Sequence, residues 1–207
     1  LNLSHNTTLT DKRLTIAKDI ARIYCPLSET AIRELASILV PLSFTKGEVV
    51  MPENKVCDAM YYVHQGMVRQ YYYKDKRDLT EHFSYEGRIV ICIESFFKQE
   101  PSRLIVETLE PSLLYAIPYD GLHRLAAEDN EIELLFRKII EHALISSQEH
   151  ADSQRFEDAT ERYNRLFRTK PEIILRAPLL HIASFLQMTP ETLSRIRNTA
   201  ASTRSEK

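Results

Sequence analysis

The stretch HIASFLQMTPETLSRIRN, residues 181–198, cannot lie on one continuous helix with a single apolar face. Ile182 and Leu186 are four residues apart and Leu193 and Ile196 three apart, but the register breaks at Gln187–Met188–Thr189. Spacings of three and four mark one face of a helix, so the break predicts two short helices sharing one core. Thr189 stands before Pro190. A threonine side chain caps free helical N–H groups and proline suits a first helical position, which starts the second helix at 190. The first then covers about 180–186. Ala183, Leu186, Leu193 and Ile196, with Ile182 and Met188, make the expected shared core. Gln187 falls where such turns usually carry glycine and must take up the turn's backbone itself.

Glu191, Ser194, Arg195 and Asn198 remain outside, at i, i+3, i+4 and i+7 on one face. Two crossed helices with such a face match the arithmetic of a helix-turn-helix, whose second helix enters the major groove of DNA. There arginine pairs with guanine O6 and N7, glutamate accepts from cytosine N4, and serine serves either. Arg162, Arg165, Arg168 and Arg197 are candidates for phosphate contacts, which position without specifying. Charge points the same way: residues 158–207 hold 9 Lys/Arg against 5 Asp/Glu, whereas residues 1–157 hold 18 against 24. A basic tail on an acidic body suits a polyanionic partner. By spacing alone, a helical hairpin with a solvated face remains the alternative.

Upstream, residues 10–39 read as helical, with Ser28 as N-cap of 28–40 and Ile32, Leu35, Ile38 and Leu39 on one side. From about residue 42, short runs rich in Val, Tyr and Phe alternate with turns, the pattern of a β sandwich or barrel. Three of the four glycines sit between those runs, in Lys46-Gly47-Glu48, Gln65-Gly66-Met67 and Glu86-Gly87-Arg88. Residues 128–154 form a long amphipathic pattern with an approximate heptad seam, so Ile132, Leu135, Ile139 and Ala143 are expected to face a second copy of the chain. The competing expectation is a helix folded back on its own barrel. Residues 153–167 read as one more helix, ending before Pro171.

The apolar runs fall short of the roughly 18 residues a membrane span needs, and no export signal opens the chain, so a cytoplasmic protein without membrane contact is expected. Cys25, Cys57 and Cys92 are widely spaced and form no metal-ligand pattern. A cupin-like metal enzyme would need His-x-His with a nearby Glu; His64 and His82 lack such partners, and no catalytic motif is present, so neither a metal site nor an enzyme is expected.

The stretch IASFLQMTPETLSRIRN resembles the helix-turn-helix of the Crp/Fnr family of bacterial transcription regulators, and the similarity extends over roughly residues 25–200. The resemblance implies an α+β chain. It would carry an N-terminal double-stranded β-helix, a jelly-roll-like sensor barrel, within residues 1–127. A dimerisation helix over 128–156 and a winged-helix-like helix-turn-helix domain over 157–207 would follow. It implies a homodimer on double-stranded DNA, with RNA polymerase as a further partner if the protein is an activator. Thr189, Glu191, Ser194, Arg195, Arg197 and Asn198 would make the DNA contacts, and E-x-x-S-R resembles the type that reads TTGAT half-sites. In the family's cyclic-nucleotide cassette, Glu94 and Ser102 match, with Arg103 close by, but Ile93 stands for the glycine and Pro101 for the arginine. Without that cation a cyclic phosphate loses its forked, charge-assisted contact, so cyclic AMP is disfavoured. Haem, through His64, His82 or His123, is a further candidate without a supporting motif. The wing is expected to be short or missing, since only ILRAPLL (174–180) precedes the reader. A ligand-binding module without a DNA role is the rival function.

Overall fold

The computed structural model describes residues 3–205, with side chains over 11–199. Helix α1 (Leu3–Tyr24) is followed by α2 (Glu29–Ile38), which starts where Ser28 accepts a hydrogen bond from the Ala31 N–H. Ile16, Ile20, Ile32 and Leu35 are the buried stripes along which the two pack. Eight antiparallel strands form two four-stranded sheets. They are β1 (Val40–Phe44), β2 (Val49–Met51), β3 (Ala59–Gln65), β4 (Met67–Lys74), β5 (Arg77–Tyr85), β6 (Ile89–Val90), β7 (Ile105–Thr108) and β8 (Ser112–Pro118). Their orders are β1-β8-β3-β6 and β2-β7-β4-β5. β3 and β8 pair from Ala59↔Pro118 to Gln65↔Leu113, with a register shift before Gln65. Gly66, at φ +99°, follows that shift; a Cβ there would lie 2.2 Å from the Ser112 hydroxyl oxygen, so only glycine fits.

A six-residue helix α3 (Ile93–Lys98) interrupts the strands after β6, and α4 (Tyr119–Glu128) and α5 (Asn130–Phe156) follow the last strand. The chain divides into two compact units. One runs up to Val68 and from Ser84 to Leu144; the other comprises Arg69–Phe83 and everything from Ile145 onward. This differs from the expected boundaries of 1–127, 128–156 and 157–207 in two ways. The long helix is shared between the units, and fifteen residues of the strand region belong with the C-terminal helices.

In the first unit, Met60, Val63, Leu114 and Ile117 join Leu35, Phe96, Leu122 and Leu125 in one apolar core. Ile132, Leu135 and Ile139 belong to the same core and are at most 2% exposed. That corrects the expected dimer seam: those three side chains are covered by their own chain, and Ala143 is half-buried. The periodicity was that of an apolar face, and the unit's interior already fills it.

In the second unit, β4 and β5 turn at Asp75–Lys76, both at positive φ, as a two-residue type I′ hairpin turn requires. The C-terminal part of α5 is followed by α6 (Ala159–Thr169), α7 (Pro171–Arg176), α8 (Leu179–Phe185) and α9 (Pro190–Ser205). Asp158 and Glu161 close α6 with a full capping box, which breaks the expected 153–167 helix at Glu157. Residues 174–180 form no hairpin; they end α7 and begin α8.

Candidate nucleic-acid interface

The two short helices predicted at 181–198 are α8 and α9. α8 ends in a Schellman turn: Met188 N–H donates to Ala183 O and Gln187 N–H to Ser184 O, each at 3.0 Å. Gln187 occupies the left-handed position at φ +52°, the conformation its sequence position demanded. Thr189 then caps α9, accepting the Thr192 N–H at 3.2 Å. Ile182, Ala183, Leu186 and Leu193 are all at most 3% exposed, while Met188 and Ile196 are half-buried. Tyr163, Leu166, Ile173 and Ile174 complete this second interior.

Glu191, Ser194, Arg195, Arg197 and Asn198 are exposed. The first, second, third and fifth of these share the helix face opposite Leu193, and Arg197 lies off it. The Glu191 carboxyl is held below the usual carboxylate range, first by its own backbone N–H and then by the Thr189 hydroxyl. It is therefore an anion whose positions at the start of α9 are already hydrogen-bonded. Ser194 and Arg195 have no such engagement.

The arginines expected at phosphates divide. Arg162 points inward: its Nε donates to Leu186 O at 2.8 Å and its guanidinium to Glu157 O at 2.6 Å, tying α6 to the end of α8. Arg165 donates to the Glu157 carboxylate at 3.1 Å. Both are corrected to internal positioning groups: backbone carbonyls close at hand hold Arg162, and a neighbouring carboxylate holds Arg165. Arg168 and Arg197 remain exposed.

Sequence reasoning missed what braces α8 from the other side. Arg69, 3% exposed, donates to Thr80 Oγ1 (3.3 Å) and to the Asp78 carboxylate (2.7 Å), and lies 2.8 Å from His181 Nδ1. Its guanidinium also covers the Tyr71 ring at 4.0 Å. The Thr80 N–H donates to Ser184 Oγ at 2.8 Å, and Phe83 meets Phe185 edge-on at 5.3 Å. His150 stacks on the Phe185 ring at 4.2 Å. Burial holds His82 down to about 4, helped by Lys170; His150 is likewise held down to about 4, by burial and then by His82, Lys170 and Arg165. No signal in the sequence marks the Arg69–His181, Thr80–Ser184 and Phe83–Phe185 pairs, each of which joins residues more than a hundred positions apart.

Of the expected effector residues, two are exposed and the third is buried with its hydroxyl engaged. Glu94 is on the surface, in an ion pair with Lys98 at 2.8 Å, because positions four apart on α3 face each other in solvent. Ser102 is buried, but its hydroxyl accepts the Leu104 N–H at 2.9 Å. Arg103 is exposed. His64 meets Tyr115 edge-on, His123 stacks on Tyr119 at 3.9 Å, and His82 lies in the other unit beside His150. Among the described residues no cluster of three or more His, Cys, Asp or Glu could hold a metal ion, and no helix is long and apolar enough to cross a membrane.

Residues 41–129 match the family model of the cyclic nucleotide-binding domain. FixK2 from Bradyrhizobium japonicum is similar in structure at TM-score 0.71 and 20% identity, over 80% of this chain and 86% of that one. The c-di-GMP-responsive global regulator CLP of Xanthomonas campestris is similar at TM-score 0.66 and 17% identity, over 84% and 92%. A transcriptional regulator assigned to the Crp/Fnr family from Eubacterium rectale is similar at TM-score 0.64 and 13% identity, over 85% of each chain. The fold is that of the Crp/Fnr regulators. No curated protein matches the sequence. Within the Crp/Fnr fold, the cyclic-nucleotide-binding match covers the strands and α4, and lies N-terminal to α8 and α9.

Proposed function

We propose that the protein is a dimeric, sequence-specific DNA-binding transcription regulator of the Crp/Fnr type, without catalytic activity. One observation carries this reading: α9 is anchored by a buried Leu193 and a capped start, and it turns Glu191, Ser194 and Arg195 to solvent on one face. Arg195 reads a guanine, Glu191 a cytosine amino group once it leaves the Thr189 hydroxyl, and Ser194 a neighbouring base. Thr189, Arg197 and Asn198 contact the backbone beside them. A symmetric dimer sets two such helices one turn of DNA apart, about 34 Å, on a palindrome of TTGAT-type half-sites. The dimer contact lies further along α5 than the buried seam, where Leu144 and Ile145 are 63% and 59% exposed.

The strand domain is the sensor, and its signal is not cyclic AMP. Supporting this, Glu94 is engaged by Lys98, the Ser102 hydroxyl by Leu104, and Pro101 stands where an arginine would grip the phosphate. Whether the protein recruits RNA polymerase depends on its being an activator.

Anisotropy titration of the full chain against a TTGAT palindrome tests the reading. Arg195→Ala costs about 1–3 kcal/mol and relaxes preference at one base pair. An equal loss on every duplex removes Arg195 as a reader, and no preference of the parent protein for any palindrome removes the regulator reading.

A further inference from the structure

Cys57, just ahead of β3, and Cys92, at the N-cap of α3, are each 1% exposed and carry free thiols. Thirty-five positions separate them in sequence. In the first unit they meet. The Cys57 N–H donates to Ser95 Oγ at 2.9 Å, and Ser95 stands one helical turn from Cys92 on α3. The Cys57 thiol donates to Ala59 O at 3.2 Å and is also hydrogen-bonded to both the side chain and the backbone of Cys92. The two side chains are thus neighbours, with Ser95 on the Cys92 helix bonded to the Cys57 backbone. Cys25 is bonded elsewhere, to the carbonyl of Pro26.

We infer that Cys57 and Cys92 are a modification site that a peroxide converts to an intrachain disulfide. Hydrogen bonds donated to the Cys57 sulfur favour its thiolate, which makes it the attacking group. The Cys57 thiolate attacks one peroxide oxygen and the O–O bond breaks, giving a sulfenic acid and hydroxide. The Cys92 sulfur then displaces the sulfenic hydroxyl as its own proton leaves, forming the S–S bond. In sum, two thiols are oxidised and one hydrogen peroxide is reduced to two waters. Local opening of α3 would expose this buried pair. That helix has six residues and no side-chain cap, since Cys92 occupies the position where Ser, Thr, Asp or Asn would bind the free N–H groups. The bridge would close a loop that contains all of Arg69–Phe83, the strand segment that braces α8.

The full chain, reduced and then freed of reductant, is treated with hydrogen peroxide, denatured and blocked with N-ethylmaleimide. Intact mass and peptide mapping are then read. The expected product carries one maleimide, on Cys25, instead of three, with a cross-linked peptide joining residues 57 and 92. Cys25→Ser forms the same bridge, and oxidation in denaturant yields mixed pairings in place of the single one. Three maleimides after oxidation, a bridge that includes Cys25, only interchain bridges, or sulfinic acid without a bridge would each overturn the inference.

Discussion

Leu35, Met60, Leu114, Ile117 and Ile132 lie among other hydrocarbon side chains in the first unit, whose buried polar groups are small hydroxyls such as Ser95, Ser102 and Thr108. The middle of the second unit instead holds an arginine, a glutamine, Thr80 and Ser153 at 3–5% exposure, with His150 stacked on Phe185. Apolar burial is non-directional and indifferent to pH, so the first interior tolerates rearrangement as long as volume is kept. A buried polar network stabilises only when every partner is present in the right protonation state. The unit carrying α8 and α9 is therefore the one whose integrity depends on geometry and pH. The first unit depends mainly on volume.

Four measurements break or sharpen that contrast. Leu135→Ala leaves a cavity in the first unit and costs about 4 kcal/mol of stability in urea unfolding; a loss under 1 kcal/mol would mean that α5 does not pack in that core. Arg69→Ala strands Asp78 and His181 and costs about 3 kcal/mol. Hydrogen exchange should locate that loss in the hairpin and α8, with β3 and β8 unaffected; uniform loss of protection would erase the contrast. Acid acts through the same unit. His82 titrates at about 4 in the fold against an ordinary 6.5, so the unfolded chain takes up protons the folded one excludes. Stability is thus complete above pH 6.5 and falls as pH drops toward 4, by about 2–3 kcal/mol, with α8 amides exchanging first. Protection of α8 that stays flat between pH 7 and 4.5 would rule this out. Smallest is Gln187→Gly, which relieves a left-handed non-glycine residue and stabilises by about 0.5–1 kcal/mol in thermal unfolding.

The α8–α9 pair was legible because everything that builds it is local. Thr189, Pro190, the left-handed Gln187 and the spacing of Leu186 and Leu193 act within a few residues of one another, and local chemistry is written in order along the chain. The seam at Ile132, Leu135 and Ile139 was legible as an apolar face but not as to what covers it. A heptad and a stripe docked on the same chain's core obey nearly the same period. Arg162 was read as a surface cation because nothing near it in sequence announces the Leu186 carbonyl it binds. Glu94 matched a position in a family pattern, yet a lysine four residues on was enough to hold it in solvent.

From its order of residues alone, then, the chain determined the strand region with helices on either side, the turn and cap of α9, and the exposure of Glu191, Ser194 and Arg195, since each follows from local backbone hydrogen bonding and periodicity. Only the tertiary structure decided that Arg69–Phe83 belongs with the C-terminal helices, that α5 divides at Leu144, and that Cys57 lies beside Cys92. Those contacts close long loops. What selects them is the burial and hydrogen-bond complementarity of distant segments, which no stretch of sequence displays by itself.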